Sequence, residues 1–245
     1  MNTIVSAFVS NVNDRYDNAL NRYYNFGKFL LKSNVPKIIF VDEIMFDLIQ
    51  EVDYDKKNTT IIKINKKTSY FYNFAEHLTK FHLNSTDYTK DTIEFMFTMC
   101  NKTEWIKEAI KLNHFKTEYF IWIDFGIKHI FQGLLTDAEF VEKINSLKYK
   151  TYINIRIGGI WNLNYKFNID IYKDVAWYFA GGVFGGNKSS LIKFAELMKE
   201  KCIDIMTSKN TIMWEVNIWY LIYSENKGLF DIYGCNHNAS LIDNY

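Results

Sequence analysis

The sequence predicts an α/β fold with a mostly parallel central sheet flanked by helices, and three observations carry that expectation. Short apolar runs, several rich in β-branched residues, recur along the chain. Stretches with helical apolar spacing lie between them, and this alternation favours parallel pairing through right-handed crossovers. Pro36 is the only proline, and no repeat, low-complexity tract or linker breaks the pattern, so residues 1–245 read as one domain.

Residues 4–9 form an apolar run bounded by polar residues and read as a buried strand. Residues 14–31 follow as a helix whose apolar face includes Leu20, Tyr23 and Tyr24. Residues 37–41 read as a second buried strand, residues 44–50 as a helix, and residues 59–64 as a third strand. Residues 69–82 look helical. Asp91 or Thr92 can cap a longer helix that continues to Asn113. Tyr119–Ile123 is the clearest central strand. Residues 151–157 and 176–179 are further strands, and residues 189–202 and 211–223 further helices.

The bulk properties exclude several classes. A chain of 245 residues can bury a substantial core. The net charge of +1 argues against nucleic acid as the main partner. Cys100, Cys202 and Cys235 are odd in number and lack metal-site spacing, which suits free thiols in a reducing compartment. The apolar run near the start is too short for a secretory signal, and no stretch has the length of a membrane span. A cytoplasmic protein is therefore expected. The aromatic content of 18 % is high, but Lys, Asn, Ile, Tyr and Phe share AT-rich codons, so genome composition accounts for much of that bias.

Four places carry candidate chemistry. In Tyr119-Phe120-Ile121-Trp122-Ile123-Asp124-Phe125-Gly126 an apolar strand delivers a carboxylate to its carboxyl end, where open α/β sheets bind ligands. Asp124 can hold a divalent cation that neutralises a diphosphate, or it can simply cap a turn. Gly126 lets the backbone approach a ligand. In Ala180-Gly181-Gly182-Val183-Phe184-Gly185-Gly186 two glycine pairs flank an apolar pair. Such a run allows positive φ and close backbone approach and can shape a sugar or acceptor pocket, or it can form a bulged hairpin needed only for packing. Glu215 is the one acid on the apolar segment Trp214-Glu215-Val216-Asn217-Ile218-Trp219, and a buried acid suits general-base work as well as an ordinary boundary position. His237 and His129 are possible metal ligands, although a lone His is more often a surface residue.

These segments, taken in order, resemble the HtrL/YibB-like family, whose members are taken for glycosyltransferases, and more distantly the metal-dependent nucleotide-sugar transferases of the A-type, Rossmann-like fold. The resemblance covers nearly the whole chain. It rests on Thr3-Ile4-Val5-Ser6-Ala7-Phe8 with Arg15, on Pro36-Lys37-Ile38-Ile39-Phe40, and on Asn101-Lys102-Thr103-Glu104-Trp105 through Asn113-His114-Phe115. Phe120-Ile121-Trp122-Ile123-Asp124-Phe125-Gly126-Ile127, the glycine run, Glu215, Tyr233-Gly234 and Asn244-Tyr245 complete it. The resemblance implies that Asp124 occupies the place of the acidic metal- and diphosphate-binding motif. It also implies that Ala7, Phe8, Arg15, Lys102, Gly126, Gly181 and Gly182 line the donor, that Glu215 is the catalytic or acceptor-orienting acid, and that His237 is a late metal ligand. Two positions depart from the pattern. Gly126 stands where a second Asp is usual, and Trp214 stands where relatives place Asp before the Glu.

The implied activity is transfer of a hexose or N-acetylhexosamine from a nucleoside diphosphate sugar, UDP-linked by expectation, to a glycan, lipid-linked or protein hydroxyl, with Mn²⁺ or Mg²⁺ at the diphosphate. The alternatives are a non-catalytic sugar- or nucleotide-binding module and a nucleotidyltransferase. The last would use Asp42 and Glu43 as a carboxylate pair.

Overall fold

The computed structural model describes all residues except 13–18, 86, 132 and 166. Its order is β1 (Asn2–Phe8), α1 (Ala19–Leu31), β2 (Lys37–Val41), α2 (Glu43–Gln50), β3 (Thr59–Lys63), α3 (Tyr70–Glu76), α4 (Ile93–Cys100), α5 (Lys102–Leu112) and β4 (Tyr119–Ile123). There follow α6 (Asp137–Ser146), β5 (Ile155–Gly159), β6 (Phe179–Asn187), α7 (Lys188–Lys209), α8 (Glu215–Glu225), β7 (Phe230–Gly234) and α9 (Ser240–Asp243). The strands form one seven-stranded sheet in the order β3-β2-β1-β4-β6-β5-β7. Strand β6 alone runs antiparallel to its neighbours β4 and β5, and the other pairings are parallel. The expected mostly parallel α/β sheet is what the chain forms.

Strands β1, β2 and β4 are buried on both faces over most of their length, so β2 and β4 above all read as continuous apolar runs, whereas edge strand β3 is only partly buried. Alternate residues nevertheless go to opposite sides. Val5, Ile38, Phe120 and Trp122 join a core with α4, α5, α7 and α8. Ile4, Ile39, Ile121 and Ile123 join a second core with α1, α2, α6 and α9.

Several boundaries differ from expectation, each for a local reason. Helix α3 stops at Glu76, with the His77 N–H returning to the carbonyls of Phe74 and Ala75. The helix expected up to Asn113 is two helices. Thr92 caps the first through Phe95 N–H, and Asn101, at φ −77° and ψ −5°, separates it from the second. Residues before Ala19 in the expected first helix lie outside the described residues. The strand expected at 151–157 is β5, shifted to Ile155–Gly159. Helix α7 starts at Lys188, capped by Asn187, and runs on to Lys209. Helix α8 begins at Glu215, not at 211. Helix α6 and strand β7 had no counterpart in the sequence reading, although Thr136 and Glu139 form a capping box that marks the start of α6.

The largest correction concerns the glycine run. The strand does not end at Phe179 in a turn. It starts there and carries the whole run through the sheet. Positive φ is not its purpose, because among the described glycines only Gly133 has one, at 75°. Close approach is. A Cβ on Gly185 would stand 2.6 Å from the Phe120 carbonyl oxygen, and one on Gly186 2.7 Å from that of Asn154.

Lys37 is fully buried at the start of β2. Its Nζ donates to the Ser33 carbonyl at 2.6 Å and to Thr59 Oγ1 at 3.3 Å. Burial lowers its pKa to about 8, with Asp55 opposing and Lys148 assisting. The folded chain therefore releases this proton before the unfolded chain does, and the cost of holding the charge is present below pH 8 and fades towards pH 10.5. Lys37→Met is expected to be more stable than wild type at pH 7. That advantage should shrink by on the order of 3 kcal/mol as pH rises through this window. Paired denaturant titrations at pH 7 and pH 10 check this, and a constant difference would contradict it.

Candidate active site

The site lies where the sheet changes direction of growth. Strand β1 has β2 on one side and β4 on the other. The carboxyl ends of β1 and β4 therefore border a crevice, the place where open α/β sheets bind ligands. A cavity of about 530 Å³ opens there. It gathers every described residue expected at the site: Ala7, Phe8, Lys102, Asp124, Gly126, Gly181, Gly182, Glu215 and His237. Arg15 lies outside the described residues.

Asp124 leaves the end of β4, and its N–H donates to the Gly182 carbonyl at 2.9 Å. Its Oδ1 accepts from Trp122 Nε1 at 2.7 Å. Positions two apart on a strand share a face, so the Trp-x-Asp spacing itself aims the indole at the carboxylate. Trp122 is fixed in turn by near-parallel stacking on Trp105, with ring centroids 6.0 Å apart, and on Phe184 at 6.2 Å.

Lys102 is the first residue of α5 and is only 2 % exposed. A cation there runs against the helix dipole, so its placement needs compensation. Two carboxylates provide it. Nζ lies 2.9 Å from Glu215 Oε1, and 3.0 and 3.2 Å from Asp124 Oδ1 and Oδ2. A third contact goes to the Gly181 carbonyl at 3.0 Å. Burial pulls the ammonium's pKa down, but the charges of Asp124 and Glu215 together outweigh it and raise it above its ordinary value.

Glu215 is the first residue of α8 and is 3 % exposed. The positive end of α8 and Lys102 both offset its charge. Oε1 is taken by Lys102, while Oε2 has no hydrogen-bond partner among the described residues. Gly181 makes room for it, since a Cβ there would stand 2.6 Å from Oε1. Gly126 plays the same part for Tyr23, whose ring would meet a Cβ at 2.5 Å.

His129 and His237 line the same cavity, with ring centroids 6.3 Å apart. His129 Nδ1 contacts the Gly126 carbonyl at 2.8 Å, so Nδ1 carries the proton. His237 packs edge-on against Trp177, and its pKa is lowered by burial and by His129, with Asp124 opposing. Sequence reasoning missed Trp122, Trp177 and Lys90 as cavity residues. Trp122 was legible from its spacing to Asp124, whereas Lys90 lies in a loop without a periodic signal and Trp177 lies in a turn where a strand was expected.

Asp124 and His237 were expected to hold a metal. Among the described residues no group of three His, Cys, Asp or Glu side chains stands close enough to do so. Asp124 is already engaged by Trp122 and Lys102. Asp124 and His237 therefore lack a third such ligand among the described residues. Asp42 and Glu43 do not supply an alternative pair. Asp42 caps α2 through Met45 N–H at 3.0 Å and accepts from Ser10 N–H at 2.7 Å, while Glu43 pairs with Lys63. Neither lines the cavity.

Residues 2–240 match the family described as "Bacterial protein of unknown function (HtrL_YibB)". The chain belongs to this family. No curated protein matches it. Among solved structures it is similar to apo mouse xyloside xylosyltransferase 1, at 12 % identity and a TM-score of 0.47, over 96 % of this chain and 85 % of that one. It is also similar to the 4-diphosphocytidyl-2C-methyl-D-erythritol synthase of Anaerococcus prevotii DSM 20548, at 10 % identity and a TM-score of 0.44, over 97 % and 89 % of the two chains. Likeness at this level says nothing of chemistry. No helix among the described residues is long and apolar enough to cross a membrane.

Removing one partner from a buried ion pair strands the other's charge. Lys102→Met is expected to lower stability by about 3–5 kcal/mol. Adding Glu215→Gln should return at least about 1 kcal/mol of that loss. A double-mutant cycle by chemical denaturation measures the coupling, and strictly additive losses would mean that the pair does not hold the site together.

Proposed function

We propose that the chain is a glycosyltransferase that moves a hexose or N-acetylhexosamine from a nucleoside diphosphate sugar, UDP-linked in the first instance, to a hydroxyl of a glycan, a lipid-linked sugar or a protein. The observation that carries this reading is the unpartnered Oε2 of Glu215, a buried carboxylate oxygen on the wall of a cavity at the sheet's switch point. A buried acceptor atom without a donor is costly, and a substrate hydroxyl supplies that donor. Lys102 holds Oε1 and leaves Oε2 as the oxygen still able to accept.

In the reaction Glu215 Oε2 takes the proton of the acceptor hydroxyl as its oxygen attacks the anomeric carbon. The bond from that carbon to the diphosphate breaks, and the diphosphate leaves with the bonding pair. Trp105, Trp122, Trp177 and Trp214 give the cavity aromatic walls against which a base or a sugar ring can lie. The glycines at 181 and 182 keep side chains off the floor between Asp124 and Glu215.

The test has two parts. A thermal-shift panel of UDP, GDP, CDP, TDP, UDP-glucose and UDP-N-acetylglucosamine is expected to raise the melting temperature with one nucleotide family, since ligands that bind only the folded state stabilise it. Asp124→Ala should lose that shift. With the donor so identified, Glu215→Gln is expected to lower kcat by about 10²–10⁴-fold with little change in the donor's KM. Binding without turnover on any hydroxyl acceptor would make the chain a binding module. No shift with any nucleotide would sink the donor site.

A further inference from the structure

We infer that Lys102 is the resident cation of this site, and that the chain takes its nucleoside diphosphate without a divalent metal. This rests on the donor-site reading above. An ammonium has three N–H donors and no acceptor. Lys102 directs them at Glu215 Oε1, the Gly181 carbonyl and Asp124, and so sits among oxygens as a bound ion would. Unlike a bound ion it is covalently attached, at the first turn of α5.

The surrounding donors leave a divalent cation poorly served. Hard divalent ions take six or more oxygen ligands and are held chiefly by carboxylates. Of the two carboxylates here, Glu215 gives one oxygen to Lys102 and, on the reading above, keeps the other for the acceptor hydroxyl. Asp124 accepts from Trp122 Nε1 as well as from Lys102. A metal joining Asp124 would stand beside a fixed positive charge that contacts the same carboxylate. The second acid usual in metal-dependent relatives is replaced by Gly126, where a Cβ would strike Tyr23 at 2.5 Å. The position is filled by a neighbouring ring, with no space left for a longer acidic side chain.

The charges agree with this. Among the described residues lining the cavity the ionic side chains are Lys90, Lys102, Asp124 and Glu215, two of each sign, with His237 held towards its neutral form. Lys102 already screens both carboxylates from an incoming diphosphate. Without Lys102, Asp124 and Glu215 would face each other across the place its ammonium holds, and that arrangement suits a metal.

The experiment uses the purified full chain. Electron paramagnetic resonance of Mn²⁺ alone reads metal binding, and thermal shift with the panel nucleotides reads donor binding, in chelator and in Mn²⁺. Wild type is expected to leave the free Mn²⁺ signal unchanged and to show the same nucleotide shift in both conditions. Lys102→Met, checked for folding by circular dichroism, is expected to gain Mn²⁺ binding, seen as loss of the free-ion signal. A nucleotide shift that appears only with Mn²⁺, together with loss of the free-ion signal in wild type, would overturn the inference and leave the transferase reading standing. No nucleotide shift in either condition would overturn both. If Lys102→Met does not fold, the two wild-type measurements decide the matter.

Discussion

Much of this structure is organised around one ammonium group that has been taken out of water. Lys102 reaches Asp124 at the end of β4, Glu215 at the start of α8 and the Gly181 carbonyl in β6. These come from parts of the chain up to 113 residues apart. Desolvating a charge costs several kcal/mol unless partners are already in place, so the contacts stand or fall together. The stacked indoles of Trp105 and Trp122 hold one carboxylate in register, and the bare strand β6 lets the other come down to the sheet. Elsewhere the ion pairs, such as Lys63 with Glu43, keep exposed partners and contribute little.

The glycine strand is the second constraint, and it follows from the first. An ordinary strand at the position of β6 would carry side chains where Glu215, Ile127 and the Phe120 backbone now lie. β6 is also the one antiparallel strand, inserted between β4 and β5. Glycine is disfavoured in strands because it packs nothing and loses most conformational freedom. Four of them in one strand therefore mark a place where something else must come close.

How far the sequence could be read depended on the range of the signal. Strands β1, β2 and β4 were legible because a strand buried on both faces is largely apolar, β3 because it is rich in β-branched residues, and Asp124 because a carboxylate follows an apolar run directly. That Lys102 and Glu215 would meet was not legible, since the pairing is set by how α5 and α8 approach the sheet and no local pattern encodes it. The glycine run was expected to allow positive φ and close approach after a strand, whereas it is itself a strand that uses only the second, and sequence alone does not separate the two uses. Strand β7 is short and borders a polar stretch, so propensity alone did not separate it from a loop. Helix α6 carries a clear capping box, but its only buried residues are Phe140 and Ile144, too few for a helical periodicity to stand out.

The aromatic walls have an optical consequence. The chain has six tryptophans, and four of them, at positions 105, 122, 177 and 214, border the cavity. The indole of Trp122 is hydrogen-bonded to Asp124, so its excited state feels that carboxylate directly. Most of the indoles that give this protein its ultraviolet absorbance therefore border its candidate site. The molecule carries its own spectroscopic probe at the place where a ligand would enter, with no label to be attached.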